Sequence, residues 1–449
     1  MSERIHFIGI GGISMSTLAM MALKRGDTVT GSDREKSPLT DALEKNGATV
    51  FCPQSEGNVG RADRVVYTAA IAEDNPEYIE ATRKCLPMLR RSAYLGELMK
   101  DYEVRIGVSG THGKSSTTGM LSSIFTQAGV DPTTACGAVL SDLGSAFRLG
   151  GKKHFIYEAC EYKDSFLDFF PTVSLILNIE MDHTDYFKDL AQMKTSYLRS
   201  VEKAKAVVVN GDDKNALDVA GEIRGAWVVK AGVTGKDLDF SAAAIERKGG
   251  YCSFDLMKEN AKLGRVVLRV PGDHHVGNAV CAAAAAYVCG VDPDDIVKGL
   301  SSFGGVDRRF QFLGTYRGAR CFDDYAHHPT EIRATFRTAR ALLEDGPGRL
   351  FCVFQPHTFS RTHEFHADFV KELAGADKLY LAPIYPAREE KDLGESSEQI
   401  AREIPGAVAL PDFDAIAALL EKELSEGDLL LTMGAGYAYK AARALLEKG

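Results

Sequence analysis

Ile106-Gly107-Val108-Ser109-Gly110-Thr111-His112-Gly113-Lys114-Ser115-Ser116 runs from an apolar segment through a glycine turn into a lysine and two hydroxyls, and Thr117-Thr118-Gly119-Met120-Leu121 continues at helical spacing. Strand, turn and helix start, in that order, make a phosphate cradle. Gly110 and Gly113 let backbone N–H groups turn inward, the new helix aims its positive end at the same point, Lys114 adds a charge and Ser115 reaches a divalent cation. Gly110, Thr111, His112, Gly113, Lys114, Ser115 and Ser116 are therefore the expected contacts of a nucleotide triphosphate. The usual P-loop spacing wants a glycine where Val108 stands, so the stretch reads as a shorter Gly-x-x-Gly-Lys-Ser form.

Upstream, Ile5-His6-Phe7-Ile8-Gly9-Ile10-Gly11-Gly12 reads as a strand with its glycine turn, Ser14 to Lys24 as a helix, and Val29-Thr30-Gly31-Ser32-Asp33 as a second strand ending in an acid. This is a Rossmann-type opening. Ser14 occupies the third glycine position of a dinucleotide fingerprint, so the turn is assigned to the diphosphate of another nucleotide before NAD. Alternating strands and helices continue to a boundary near residue 102. Downstream of the cradle, His154 to Glu161 and Val173 to His183 read as buried strands that deliver Glu158, Glu161, Asp182 and His183 at their carboxyl ends, where a doubly wound sheet gathers metal ligands. From 224 to 270 the pattern predicts short antiparallel strands, including Trp227-Val228-Val229 and Val266 to Val270. An alanine-rich helix starts near Asn278, the paired Arg308-Arg309 follow, and a last α/β unit starts near 311. In it Asp323 to His328, Gln355 to Thr362 and Gly434 to Gly436 lie at strand ends. Functional residue types thus collect at strand ends in all three units, the pattern of a cleft between domains.

The chain has 449 residues, enough for three domains at ~150 residues each. Its 45% hydrophobic and 26% charged residues are an ordinary globular balance, and a net charge of −9 opposes general affinity for nucleic acid or anionic membranes. The start does not read as a signal peptide, and the apolar run from Ala279 to Val291 is too short to cross a bilayer. The nine cysteines form no Cys-x-x-Cys pair and read as reduced core residues, which places the protein in the cytoplasm. Small-molecule substrates, no nucleic acid, no membrane insertion, and a monomer or homodimer are expected.

Taken in order, Gly9 to Ser16 with Gly31-Ser32-Asp33, the loop at 110–116, Glu158-Ala159-Cys160-Glu161, Met181-Asp182-His183, Arg308-Arg309-Phe310, Asp323 to Pro329, Gln355-Pro356-His357 with Ser360-Arg361-Thr362, and Ile384 to Glu389 resemble the Mur ligase family over the whole chain. The resemblance implies three α/β domains: a Rossmann-like UDP-sugar domain (1–102), a central P-loop ATPase-type domain with a mainly parallel sheet (103–310), and a Rossmann-like amino-acid domain (311–449). It also implies the alanine-adding activity, an ATP-dependent ligase joining L-alanine to the lactyl carboxylate of UDP-N-acetylmuramate through an acyl phosphate. By similarity, Ser115 and Glu158 hold one Mg2+ and Glu158 and His183 a second. Lys114 serves the triphosphate, His327 assists the amine, and Arg361 with His357 binds the amino-acid carboxylate. Asn278, Arg308 and Asp324 are implied ATP contacts; Gly11, Gly12, Ser14, Asp33 and Tyr325 are implied substrate contacts. Thr358, His275 and Tyr437 stand where the family often has arginine, asparagine and aspartate. Tyr197 lies near the position of the carbamylated lysine of several relatives, and no carbamylation is expected here. Competing readings are a peptide-adding recycling ligase, a non-catalytic Mur-like nucleotide-binding protein and a dehydrogenase.

Overall fold

The computed structural model describes residues 2–448 except 69, 70, 73, 185, 345, 388 and 390–392; Arg388 of the motif at 384–389 therefore lies outside the described residues. Three sheets follow one another along the chain. In the first, β1 (Arg4–Ile8), β2 (Thr28–Ser32), β3 (Thr49–Phe51), β4 (Arg64–Tyr67) and β5 (Met88–Arg90) are all parallel and lie in the order β3-β2-β1-β4-β5. That is the order of a Rossmann half.

The second sheet contains β6 (Val104–Ser109), β7 (Thr133–Leu140), β8 (Ser145–Arg148), β9 (His154–Glu158), β10 (Val173–Ile176), β11 (Ala206–Asn210), β12 (Trp227–Gly232), β13 (Phe240–Lys248), β14 (Tyr251–Lys258) and β15 (Ala261–Val267). Their order is β15-β14-β13-β12-β11-β10-β6-β9-β7-β8. Residues 227–232 correct the antiparallel expectation, since β12 pairs parallel with both β11 and β13, and only β13 to β15 form the antiparallel meander. The last of these strands ends at Val267 rather than Val270. Strand β6 lies between β9 and β10, where the winding of the sheet reverses, and ligands of doubly wound sheets sit at the carboxyl ends of such strands.

The third sheet takes β16 (Gln311–Tyr316), β17 (Ala319–Asp324), β18 (Leu350–Phe354), β19 (Lys378–Leu381), β20 (Val408–Ala409) and β21 (Leu429–Met433) in the order β16-β17-β21-β18-β19-β20, parallel except for β16. The strands at its centre are fully buried and, Thr432 apart, apolar, as burial on both faces demands.

The three units do not meet in the same way. One continuous apolar cluster runs from Phe7, Tyr94 and Leu98 of the first unit to Phe155, Tyr157 and Phe166 of the second. Helix Arg91–Met99 presses close enough that a Cβ on Gly96 would lie 2.2 Å from the Asp168 carbonyl oxygen, and Ser92 Oγ donates to Asp168 at 2.5 Å. The third unit keeps its apolar clusters to itself. It meets the second largely through the polar contacts of the site.

Candidate active site

The phosphate loop leaves β6 and enters helix Lys114–Gln127 through Gly113, whose φ of +84° and whose missing Cβ, 2.9 Å from Asn278 Oδ1 if it were present, both require glycine. Asn278, from helix His274–Val288, thus packs on the loop. Lys114 Nζ donates to the carbonyls of Gly110 (2.6 Å) and Thr111 (3.1 Å) and lies 3.0 Å from Glu161 Oε2. Burial alone would lower its pKa; the Glu161 carboxylate raises it above the ordinary lysine value, so the ammonium stays charged.

Glu158, at the end of β9, accepts at Oε1 from the Gly137 N–H (2.7 Å) and the Cys136 thiol (3.0 Å). Ser115, Glu158 and His183 border one cavity of about 650 Å³ with Lys114. His183 has a φ of +53°, unusual for a residue with a side chain, and stacks on Tyr162 with centroids 4.5 Å apart. Its Nε2 lies 3.6 Å from Glu161 Oε1. Lys194, one turn before Tyr197, pairs at 2.7 Å with Asp218, away from the cavity, and Tyr197 is fully buried.

The third unit completes the same cavity with Tyr325, His327, His357 and Arg361. Nδ1–H of His327 donates to the Tyr325 carbonyl at 3.0 Å, which leaves Nε2 as the lone-pair nitrogen of a ring that burial keeps neutral, its pKa pushed down to about 3. Arg361 Nη2 donates to Asp182 Oδ1 at 2.7 Å and Nη1 to His357 Nδ1 at 3.0 Å, while Nε is buried without a partner among the described residues. Burial opposes ionisation of Asp182, but Arg361 outweighs it and holds the carboxyl well below the usual range. Burial likewise pushes the His357 pKa down to about 4.

A second cavity, of about 530 Å³, adjoins the first across His112, Gly113, Ser115, Arg309 and Glu331, and is bordered also by Asn178, Asn278 and Asp324. Asp324 accepts from the Phe310 and Ala326 N–H groups, both at 2.7 Å, and burial raises its pKa to about 6. His112 bridges two carboxylates: Nε2 is 3.1 Å from Glu180 and Nδ1 3.1 Å from Glu331. Although burial would lower it, those two acids raise its pKa to about 9.

Arg308 and the first-unit glycine turn also make contacts that the sequence did not suggest. The Arg308 guanidinium turns to Asp323 (3.1 Å) and the Gly434 carbonyl (2.7 Å) and so braces the third sheet at the border of the larger cavity, while Arg309 borders both cavities. In the first unit Asp33 accepts from the Gly11 N–H at 2.7 Å and stabilises the turn, and Gly11, Gly12, Ser14 and Asp33 border neither cavity, whereas Ile13 borders the larger one. The expectations also passed over Glu180 and Glu331, and gave Glu161 and Asp182 no part beyond the carboxylates at two strand ends. Each lies within or beside a motif, but only folding brings it against a cation.

Three models of the Mur ligase family match: the "Mur ligase family, catalytic domain" over residues 4–103, the "Mur ligase middle domain" over 108–286 and the "Mur ligase, glutamate ligase domain" over 308–436. The UDP-N-acetylmuramate–L-alanine ligase of Acetivibrio thermocellus is 42% identical, covering 99% of this chain and 96% of that protein. That of Lachnospira eligens is 43% identical, covering 99% and 98%. The crystal structure of the UDP-N-acetylmuramate–alanine ligase of Thermotoga maritima superposes with a TM-score of 0.84 at 25% identity, covering 99% of each chain. A murein peptide ligase from Psychrobacter arcticus shares the fold with a TM-score of 0.75 at 24% identity, covering 99% of this chain and 98% of that one. With the phosphate loop, the Glu158–His183 pair and the histidine–arginine group gathered on one cavity, and with identities of this size over the full length, the chain belongs to the Mur ligase family.

Proposed function

We propose that the protein is an ATP-dependent ligase that joins L-alanine to the lactyl carboxylate of UDP-N-acetylmuramate through an acyl phosphate, in the cytoplasm, as a step of peptidoglycan precursor synthesis. The supporting observation is the meeting, on one 650 Å³ cavity, of Lys114, Glu158 and His183 from the second unit with His327, His357 and Arg361 from the third. Residues 1–102, 103–310 and 311–449 then serve the UDP-sugar, ATP and the amino acid. The names of the relatives point to the same substrates.

Two anionic reactants must approach each other, so the chain has to supply cations. Lys114 binds the transferring phosphoryl group, exchanging part of its contact with Glu161 for the phosphate. Arg309, at the border of both cavities, is placed to hold the triphosphate, and Asn278 and Asp324 to hold the nucleoside. Ser115, Glu158 and His183 fit a hard dication: the Glu158 carboxylate is aimed by Gly137 and Cys136, with Oε2 accepting no hydrogen bond among the described residues. Magnesium bound there supplies positive charge between phosphate and carboxylate. Arg361, with His357, receives the alanine carboxylate in place of Asp182. Nε2 of His327 then takes the proton of the alanine amine as its nitrogen attacks the acyl carbon and phosphate leaves.

The test is phosphate release from ATP with UDP-N-acetylmuramate and each amino acid in turn, with the cell-wall tripeptide alongside. Release with L-alanine is expected. Release with the tripeptide alone would transfer the assignment to a peptide-adding ligase.

A further inference from the structure

Glu331 lies where three parts of the site meet. Its Oε2 accepts the backbone N–H of His327 at 3.0 Å and of His328 at 3.3 Å, and lies 3.3 Å from His327 Nδ1. Its Oε1 accepts from His112 Nδ1–H at 3.1 Å and lies 3.6 Å from the Arg309 guanidinium. The side chain is 12% exposed and borders both cavities.

Part of this is ordinary helix chemistry. Glu331 is the third residue of helix Pro329–Leu343 and closes a capping box with His328. A capping box needs only an acceptor there, and glutamine supplies one as well as glutamate. It requires neither a charge nor a partner 219 residues away on the phosphate loop of another domain. The surplus contacts call for a second role.

We propose that Glu331 is the positioning residue that, through its bonds to the His327 backbone and to His112, keeps His327 in register with the phosphate loop and sets a carboxylate beside its Nδ1–H. The inference rests on the ligase reading above. As the amine proton moves to Nε2, His327 becomes a cation whose Nδ1–H already points at the Tyr325 carbonyl and the Glu331 carboxylate, so the carboxylate stabilises the charge that develops. The His112 ring is faced by Glu331, by Glu180, which in turn accepts from Thr330 Oγ1 at 2.6 Å, and by the His328 ring at 5.1 Å. Undocking the third unit would break the His112–Glu331 and Thr330–Glu180 contacts and take His327 out of register with the phosphate loop.

Glu331→Gln separates the two roles, because it keeps the cap and removes the charge. We expect kcat to fall by about tenfold or more, within the range of general-base effects, with KM for ATP and the UDP-sugar unchanged. Acyl-phosphate formation, trapped with hydroxylamine without alanine, should stay near the parent rate. In long-range ¹⁵N–¹H spectra of histidine-labelled protein, the parent should show His327 protonated on Nδ1, and Glu331→Gln should show a shifted His327 Nδ1 signal and a His112 titrating at lower pH. Parent-like kcat, an equal loss of hydroxamate formation, or unaltered histidine spectra would each overturn the role given to Glu331. A parent without alanine-dependent turnover would instead sink the ligase reading, and the spectra would still judge the positioning.

Discussion

Lys114 and Glu161 form an ion pair at 3.0 Å in which the acid is 1% exposed, so the loop lysine holds a buried carboxylate in place as well as serving phosphate. Removing one member of such a pair leaves an uncompensated charge. Lys114→Ala should abolish ATP turnover and also destabilise the protein by roughly 3 kcal/mol. Lys114→Ala/Glu161→Gln should recover most of that stability in urea unfolding without recovering activity. A double variant as unstable as the single one would refute the pairing.

The Arg361–Asp182 contact, 2.7 Å long and buried at both ends, puts a resident carboxylate on the guanidinium assigned to the amino-acid carboxylate. Lysine cannot reproduce the planar fork. Arg361→Lys should therefore raise KM for L-alanine by about tenfold or more, one hydrogen-bonded charge contact being worth 1.5–3 kcal/mol, while KM for ATP stays near the parent value. Steady-state kinetics with each substrate varied in turn measures this, and equal shifts in both constants would contradict it.

His112 gives a pH dependence of definite sign. Its folded pKa is about 9 against ~6.5 unfolded, so its stabilisation is complete below ~6.5 and is lost as pH rises through about 9. The amount is of order 3 kcal/mol. The stability difference between the parent and His112→Gln, from urea melts, should shrink steadily from pH 6.5 to 9.5. A constant difference would show that the two carboxylates do not bind an imidazolium.

The first and second units share an apolar core, whereas the third docks through His112–Glu331, Thr330–Glu180 and Arg361–Asp182. Salt screens charge pairs and strengthens apolar burial. Raising salt to about 1 M should therefore speed amide hydrogen exchange at 327–331 and 357–362 and leave 91–99 and 166–169 protected. Uniform exchange across both seams would contradict the distinction.

Local pattern decided a great deal. The apolar run 106–108, the glycines after it and Lys114 dictate strand, turn and helix whatever surrounds them, because backbone geometry and helix polarity act over a few residues. The same holds for the alternation that built the first and third sheets, and for the acids and imidazoles at the ends of β9, β17 and β18. Strand partners were less legible: residues 227–232 carry the same apolar pattern whether they pair parallel or antiparallel, and their neighbour β11 settled the matter.

What only the tertiary structure decided is which charges meet. Arg308 and Arg309 are adjacent and chemically identical, yet the first, at a φ of +61°, pairs with Asp323 and borders only the larger cavity, while the second borders both. Glu331 reads as a cap in its own helix and becomes a partner of the phosphate loop only when the third unit lies on the second. Electrostatic contacts depend on distances between segments far apart in the chain, and no local periodicity encodes those distances.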